Sequence, residues 1–132
     1  SADQMIRNLE HGLDSEVGEG GGSLSTGEKQ LLSFARALLA DPRILVLDEA
    51  TSSIDTVMEK AIQDAISTVI RGRTSFVIAH RLSTIVEADL ILVVKDGKIV
   101  ERGTHKELLQ RKGYYEELYS RQFDALLEEE QL

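Results

Sequence analysis

Two acidic residues and a histidine follow apolar runs in the middle of the chain. Asp48 and Glu49 come directly after residues 44–47, and His80 comes after the run that ends at Ala79. A carboxylate at the end of a buried strand is suited to holding Mg²⁺, and a neighbouring glutamate can activate water. A histidine that hydrogen-bonds a terminal phosphate would complete a site for phosphoryl transfer. The alternative is that the carboxylates only cap the following helix and that His80 is an ordinary polar residue.

A second candidate site lies at residues 24–30, which read LSTGEKQ and lead directly into a helical pattern. Exposed backbone N–H groups and the helix dipole make such a terminus favourable for an anion. The Ser25 hydroxyl and the close backbone approach allowed by Gly27 strengthen this interpretation. The alternative is that the serine and glycine serve only as a helix cap.

Strands and helices have to alternate in order to position these residues. Leucines and alanines recur at helical spacing from Ser25 to Ala40, and a second apolar helix face covers residues 57–70. The unbroken apolar run at residues 44–47 is typical of a strand buried on both faces. The remaining predicted elements are a helix from Asp3 to about His11, a buried strand at 74–79, a short helix at 83–87, strands at 90–94 and 99–102 joined by Asp96-Gly97, and helices at 106–110 and 114–127. This order predicts an α/β fold with a mainly parallel sheet, flanking helices and a C-terminal β-hairpin.

Composition narrows the classes of function. The chain has 132 residues, of which 42% are hydrophobic and 29% charged, and its formal net charge is −8. These values are typical of one soluble globular domain, and the negative charge disfavours nucleic acid as a partner. The absence of cysteine excludes disulfides and thiolate metal sites in this sequence. No apolar run approaches the roughly 18 residues that span a bilayer.

Four segments together resemble the nucleotide-binding domain of ABC transporters. Residues 24–30 are similar to the ABC signature, residues 44–49 to the Walker B strand with its catalytic glutamate, residues 52–55 to the D-loop, and His80 to the switch histidine. Their order and spacing match the family across nearly the whole chain, as part of a P-loop NTPase fold. Two further segments resemble exporters: residues 15–20, which read SEVGEG, and residues 79–84, which read AHRLST.

The resemblance implies a role for each matching residue in two ATPase domains that face each other head to tail. Asp48 would hold Mg²⁺ through water, Glu49 would polarise the attacking water, and His80 would contact the γ-phosphate of ATP bound by the same subunit. Ser25, Thr26, Gly27 and Glu28 belong to the signature, which would face the ATP of the opposite subunit, and Asp55 would link the two sites. Residues 1–23 would be the end of the helical subdomain with the loop before the signature, and residues 24–132 the C-terminal part of the ATPase domain. The implied partners are the second ATPase domain and the transmembrane domains of an exporter, at the cytoplasmic face of the cell (inner) membrane.

The sequence departs from the family in two respects. It contains no Walker A loop of the form G-x-x-x-x-G-K-[ST]; the nearest glycine pair, Gly22 and Gly27, is followed by Glu28 where lysine is required. The signature also has Thr26 and Glu28 where the usual form has Gly and Gln. Without the Walker A half we expect an inactive segment with an exposed apolar edge or face, because that half adds strands to the same sheet. Two alternatives stay open: a naturally truncated docking module without catalysis, and an ABC ATPase that does not transport.

Overall fold

The structure, a computed structural model, describes residues 2–48 and 56–130. These residues form two compact units that divide after Ile78, the first being Ser1–Ile78 and the second Ala79–Leu132. The first unit contains helices α1 (Ala2–Arg7), α2 (Thr26–Ala40) and α3 (Thr56–Ile70) and strands β1 (Ile44–Asp48) and β2 (Thr74–Ile78). The second contains α4 (Leu82–Val86), β3 (Ile91–Lys95), β4 (Lys98–Gly103), α5 (His105–Arg111) and α6 (Tyr114–Glu130). The α/β class predicted from the sequence is confirmed.

The segment before α2 is less helical than its sequence pattern suggests. The first helix ends at Arg7 rather than near His11, and the chain continues through short 3₁₀ turns at Gly12–Asp14 and Glu19–Gly21. Gly18 has a φ of 71°, in the left-handed region that glycine adopts without a steric penalty. This part of the chain is therefore mostly loop, as its glycine content predicts.

Strands β1 and β2 are parallel neighbours, with Ile44 opposite Thr74 and Asp48 opposite Ile78. Leu45 and Leu47 of β1 point into the core of the first unit, where helices α2 and α3 cover them. That core is formed by Leu31, Phe34, Leu45, Leu47, Ile62, Ile66 and Val69. Both strands therefore contribute to a two-layer packing of helices on one face of a small parallel sheet.

The prediction that β1 is buried on both faces is wrong for this chain. Ile44 and Val46 are 64% and 71% exposed, and Phe76 and Ile78 of β2 are more than half exposed on the same face. The strand predicted at 74–79 is present at Thr74–Ile78, but the prediction that it is buried is wrong for the same reason. The described residues supply helices to one face only, and alternating side chains of a strand point to opposite faces. One face of the sheet is therefore apolar and exposed, as expected from a sequence that lacks the Walker A half.

The second unit is organised around the β3–β4 hairpin, which is antiparallel. Asp96 and Gly97 have φ values of 51° and 73°, as the two central residues of a type I′ turn require. The Asp-Gly pair thus forms the hairpin turn that the sequence predicts. Val93, Leu108 and Tyr115 form the buried core of this unit.

Tyr115 is the buried titratable residue of that core. Its side chain is only 6% exposed, and its hydroxyl lies 2.8 Å from Nδ1 of His105. Burial raises the pKa of the Tyr115 phenol, and the neighbouring Tyr119 raises it further. The neutral phenol is therefore favoured in the folded state over the phenolate.

We expect Tyr115 to titrate at a higher pH than an ordinary tyrosine, because burial raises the pKa of its phenol. Its folded pKa lies above the unfolded value of about 10, so its contribution to stability is complete below that pH and is lost as the pH rises through the folded pKa. Phenolate absorbance measured against pH should show a late step, and Tyr115→Phe should remove it. A phenolate titration that Tyr115→Phe leaves unchanged above about pH 10 would contradict the burial of Tyr115.

Candidate functional site

Asp48 ends β1 at the carboxyl edge of the parallel pair, where ligands bind in α/β sheets. By strand alternation it lies on the same face as Ile44 and Val46, and its side chain is exposed. A carboxylate in such an open position fits a Mg²⁺ ion, which commonly takes one or two protein carboxylates and completes its shell with water and phosphate oxygens. The described residues contain no group of three or more acidic, histidine or cysteine side chains that could hold a metal alone.

The proposed general base lies outside the described residues. Glu49 and Asp55 both fall in the segment 49–55, as does the whole predicted D-loop at 52–55. Their roles therefore stay predictions. The structure describes the two elements on either side of this segment. Strand β1 ends at Asp48, and helix α3 begins at Thr56.

His80 lies at the start of the second unit, two residues beyond the end of β2. It is exposed, and its backbone carbonyl accepts a hydrogen bond from Nε2 of Gln122 on α6 at 3.0 Å. This contact attaches the predicted switch segment to the last helix of the same unit. Asp48 belongs to the first unit and His80 to the second.

The signature residues form the beginning of α2. Ser25 is the N-cap residue, and its hydroxyl accepts a hydrogen bond from the Glu28 N–H at 3.2 Å. In return the Ser25 N–H donates to Oε1 of Glu28 at 2.9 Å, which completes a capping box. Thr26 is exposed and Gly27 is buried. Glu28 therefore points back to Ser25 rather than away from the terminus.

Sequence reasoning missed this reciprocal pair, although a signal for it was present. Residues 25–28 read Ser-Thr-Gly-Glu, which has the S-x-x-E spacing of a capping box. The same spacing occurs at Thr104 and Glu107, which form an equivalent capping box at the start of α5. The two helices thus provide one capping box within the candidate site and another outside it.

Within the part of the chain that the structure describes, no helix is long and apolar enough to cross a membrane. Two surface depressions of the described residues are lined by residues 41–43 with 72–74, and by strand and helix residues of the second unit. Neither includes a predicted site residue. Among the described candidate residues, the exposed ones are Ser25, Thr26, Asp48 and His80, whereas Gly27 is buried.

Comparison with known proteins places these features in context. The sequence profile of the ABC transporter family matches residues 1–52. The chain is 51% identical to an uncharacterized ABC transporter ATP-binding protein, YfiC, of Bacillus subtilis, and 55% identical to an ATP-dependent lipid A-core flippase of Pseudomonas aeruginosa. Each alignment covers 94% of this chain but only 20% and 21% of those relatives, respectively. The chain thus spans about a fifth of the length of the curated relatives it matches.

A solved structure agrees with the sequence relatives. A bacterial Atm1-family ABC exporter with ATP bound superposes with a TM-score of 0.77 at 47% sequence identity. The superposition covers 90% of this chain and 21% of the exporter chain. The likeness is therefore one of sequence as well as of fold.

Proposed function

We propose that this chain belongs to the ABC transporter family and that it supplies the hydrolytic carboxylate and the signature of an exporter's ATPase domain. The observation that carries the proposal is the likeness, at 47% identity, to an exporter solved with ATP bound. The exporter-like segments at residues 15–20 and 79–84 support export over import. The complete protein would couple ATP hydrolysis to transport at the cytoplasmic face of the inner membrane.

The chemistry proposed for the subunit's own ATP depends on the edge of the sheet at Asp48. Asp48 would hold Mg²⁺ through water, and that ion, when bound, would neutralise charge on the phosphates. Glu49 would accept a hydrogen bond from the attacking water and would orient that water toward the γ-phosphate. His80 would donate a hydrogen bond to a γ-phosphate oxygen. Positioning and charge neutralisation of this kind account for most of the catalysis in phosphoryl transfer.

The signature would serve a different nucleotide. Ser25 and Gly27 at the start of α2 would face the ATP bound by an opposing ATPase domain, with Thr26 and Glu28 beside them. Asp55 would connect this site with the subunit's own. The proposed partners are accordingly a second ATPase domain, in a homodimer or heterodimer, and the transmembrane domains of the transporter.

We expect the 132-residue chain by itself neither to bind ATP with useful affinity nor to hydrolyse it. Its sequence has no G-x-x-x-x-G-K-[ST] segment, whose backbone N–H groups and lysine cradle the phosphates in this class of enzyme. Calorimetric titration with Mg²⁺-ATP and a phosphate-release assay check the two statements, with the complete gene product as the positive control. Hydrolysis by the isolated chain that Glu49→Gln abolishes would overturn the expectation.

A further inference from the structure

The charge of Glu28 lies at the helix terminus proposed to face a phosphate. Its Oε1 accepts the Ser25 N–H at 2.9 Å, so the carboxylate and the signature serine are in direct contact. The capping box uses the N–H groups of Ser25 and Glu28 and does not involve those of Thr26 and Gly27. The carboxylate thus shares the terminus with any anion that approaches Ser25.

The same contact fixes the conformation of Ser25. Its backbone has φ −66° and ψ 162°, the extended geometry of an N-cap residue, and both hydrogen bonds of the box depend on that geometry. Leu24 on one side and Gly27 on the other are buried, so the neighbouring backbone is held by packing. Ser25 itself is exposed; Glu28 holds its hydroxyl and its N–H, and its carbonyl accepts a hydrogen bond from the Lys29 N–H at 2.9 Å.

These two effects oppose each other when a phosphate approaches. The hydrogen bonds from Glu28 hold Ser25 in place, whereas its negative charge repels the phosphate and offsets the positive end of the helix dipole. Glutamine makes the same capping box without the charge. A glutamate at this position therefore maintains the geometry of the terminus and reduces its attraction for anions.

We propose that Glu28 is a positioning residue that holds Ser25 through the capping box and, by its charge, lowers the affinity of the signature for the opposing domain's ATP. This inference rests on the proposed function, which places Ser25 against that nucleotide. The glutamate at position 28 thus keeps the backbone geometry of the signature but lowers its affinity for ATP through its negative charge.

The test separates charge from capping by comparing Glu28→Gln with Glu28→Ala in the complete gene product. At low ionic strength, Glu28→Gln should lower the KM for ATP by about fivefold while kcat changes less than about twofold. The decrease should largely disappear in about 0.5 M salt, because salt screens the repulsion between exposed charges. Glu28→Ala should have a KM about fivefold higher than Glu28→Gln at both ionic strengths, because it also loses the cap.

Glu107 provides the matched control, since it forms an equivalent capping box with Thr104 on α5. Glu107→Gln should leave KM unchanged, and Glu107→Ala should lower the melting temperature about as much as Glu28→Ala without the salt-dependent change in KM. A merely structural role for Glu28 would make the two positions behave alike.

Two results would overturn the inference: a KM for Glu28→Gln that is unchanged or higher at low salt, or equal KM values for the Gln and Ala variants. Glu49→Gln, assayed in parallel, distinguishes the failure of this inference from the failure of the proposed function. If Glu49→Gln abolishes hydrolysis while all Glu28 variants resemble the parent, only the role of Glu28 is wrong. If Glu49→Gln retains full hydrolysis, the proposed function itself fails.

Discussion

Glu49→Gln in the complete gene product is expected to lower Mg²⁺-dependent ATP hydrolysis by about 10²- to 10⁴-fold. Glutamine keeps the size of the side chain but cannot orient and polarise water as a carboxylate does. Asp48, which we propose holds Mg²⁺, and the phosphate-binding parts of the domain are untouched by the substitution. ATP binding should therefore persist, and a phosphate-release assay combined with equilibrium ATP binding measures the two effects separately.

Asp64→Asn is a suitable control for this loss of charge. Asp64 is exposed in the middle of α3, away from both ends of the helix, and its neutralisation should change the hydrolysis rate by less than about twofold. A Glu49→Gln protein that hydrolyses ATP at the parent rate would contradict the proposed function, in which Glu49 supplies the hydrolytic carboxylate. Loss of ATP binding together with hydrolysis would show instead that Glu49 has a role in holding the nucleotide.

Ile62→Ala is expected to lower the free energy of unfolding by about 3 kcal/mol, which is typical of a large aliphatic side chain deleted from a core. Ile62 is 0% exposed and lies in the core that joins α3 to β1 and α2. Its removal leaves a cavity beneath the strand that carries Asp48 and weakens the packing that positions the site. Urea denaturation of the 132-residue chain, followed by circular dichroism, measures the change.

Val57→Ala provides the matched comparison on the same helix. Val57 is 82% exposed, so its truncation should change the free energy of unfolding by less than about 0.5 kcal/mol. Equal destabilisation by the two substitutions would mean that α3 does not present Ile62 to the core as described. An unaffected Ile62→Ala protein would contradict the packing of α3 on the sheet.

Local signals in the sequence were sufficient for α2 and for the β3–β4 hairpin. Ser25 and the Asp41-Pro42 pair mark the ends of α2, and the structure has the helix at Thr26–Ala40 with Asp41 in the left-handed conformation that ends it. The Asp96-Gly97 pair adopts the two positive φ values that its turn needs. In these places the local conformational preference and the tertiary structure agree, so the sequence alone predicts the element.

Burial of β1 could not be predicted in the same way. An apolar strand has the same sequence whether one or two layers cover it, and only the presence of packing partners decides how exposed Ile44 and Val46 are. The orientation of Glu28 was also undecided, because a carboxylate near a helix start can point inward or outward. Its hydrogen bond to Ser25 is a reciprocal interaction that the S-x-x-E spacing indicated and the resemblance to the signature obscured.

The central claim is tested most directly by ATP hydrolysis of the complete gene product with and without Mg²⁺. A protein that resembles this family and carries Asp48, Glu49 and His80 in the motif order is predicted to release phosphate from ATP only when Mg²⁺ is present. Failure to release phosphate in the presence of Mg²⁺, from a folded protein that binds ATP, would contradict the assignment of this chain to the hydrolytic part of an exporter.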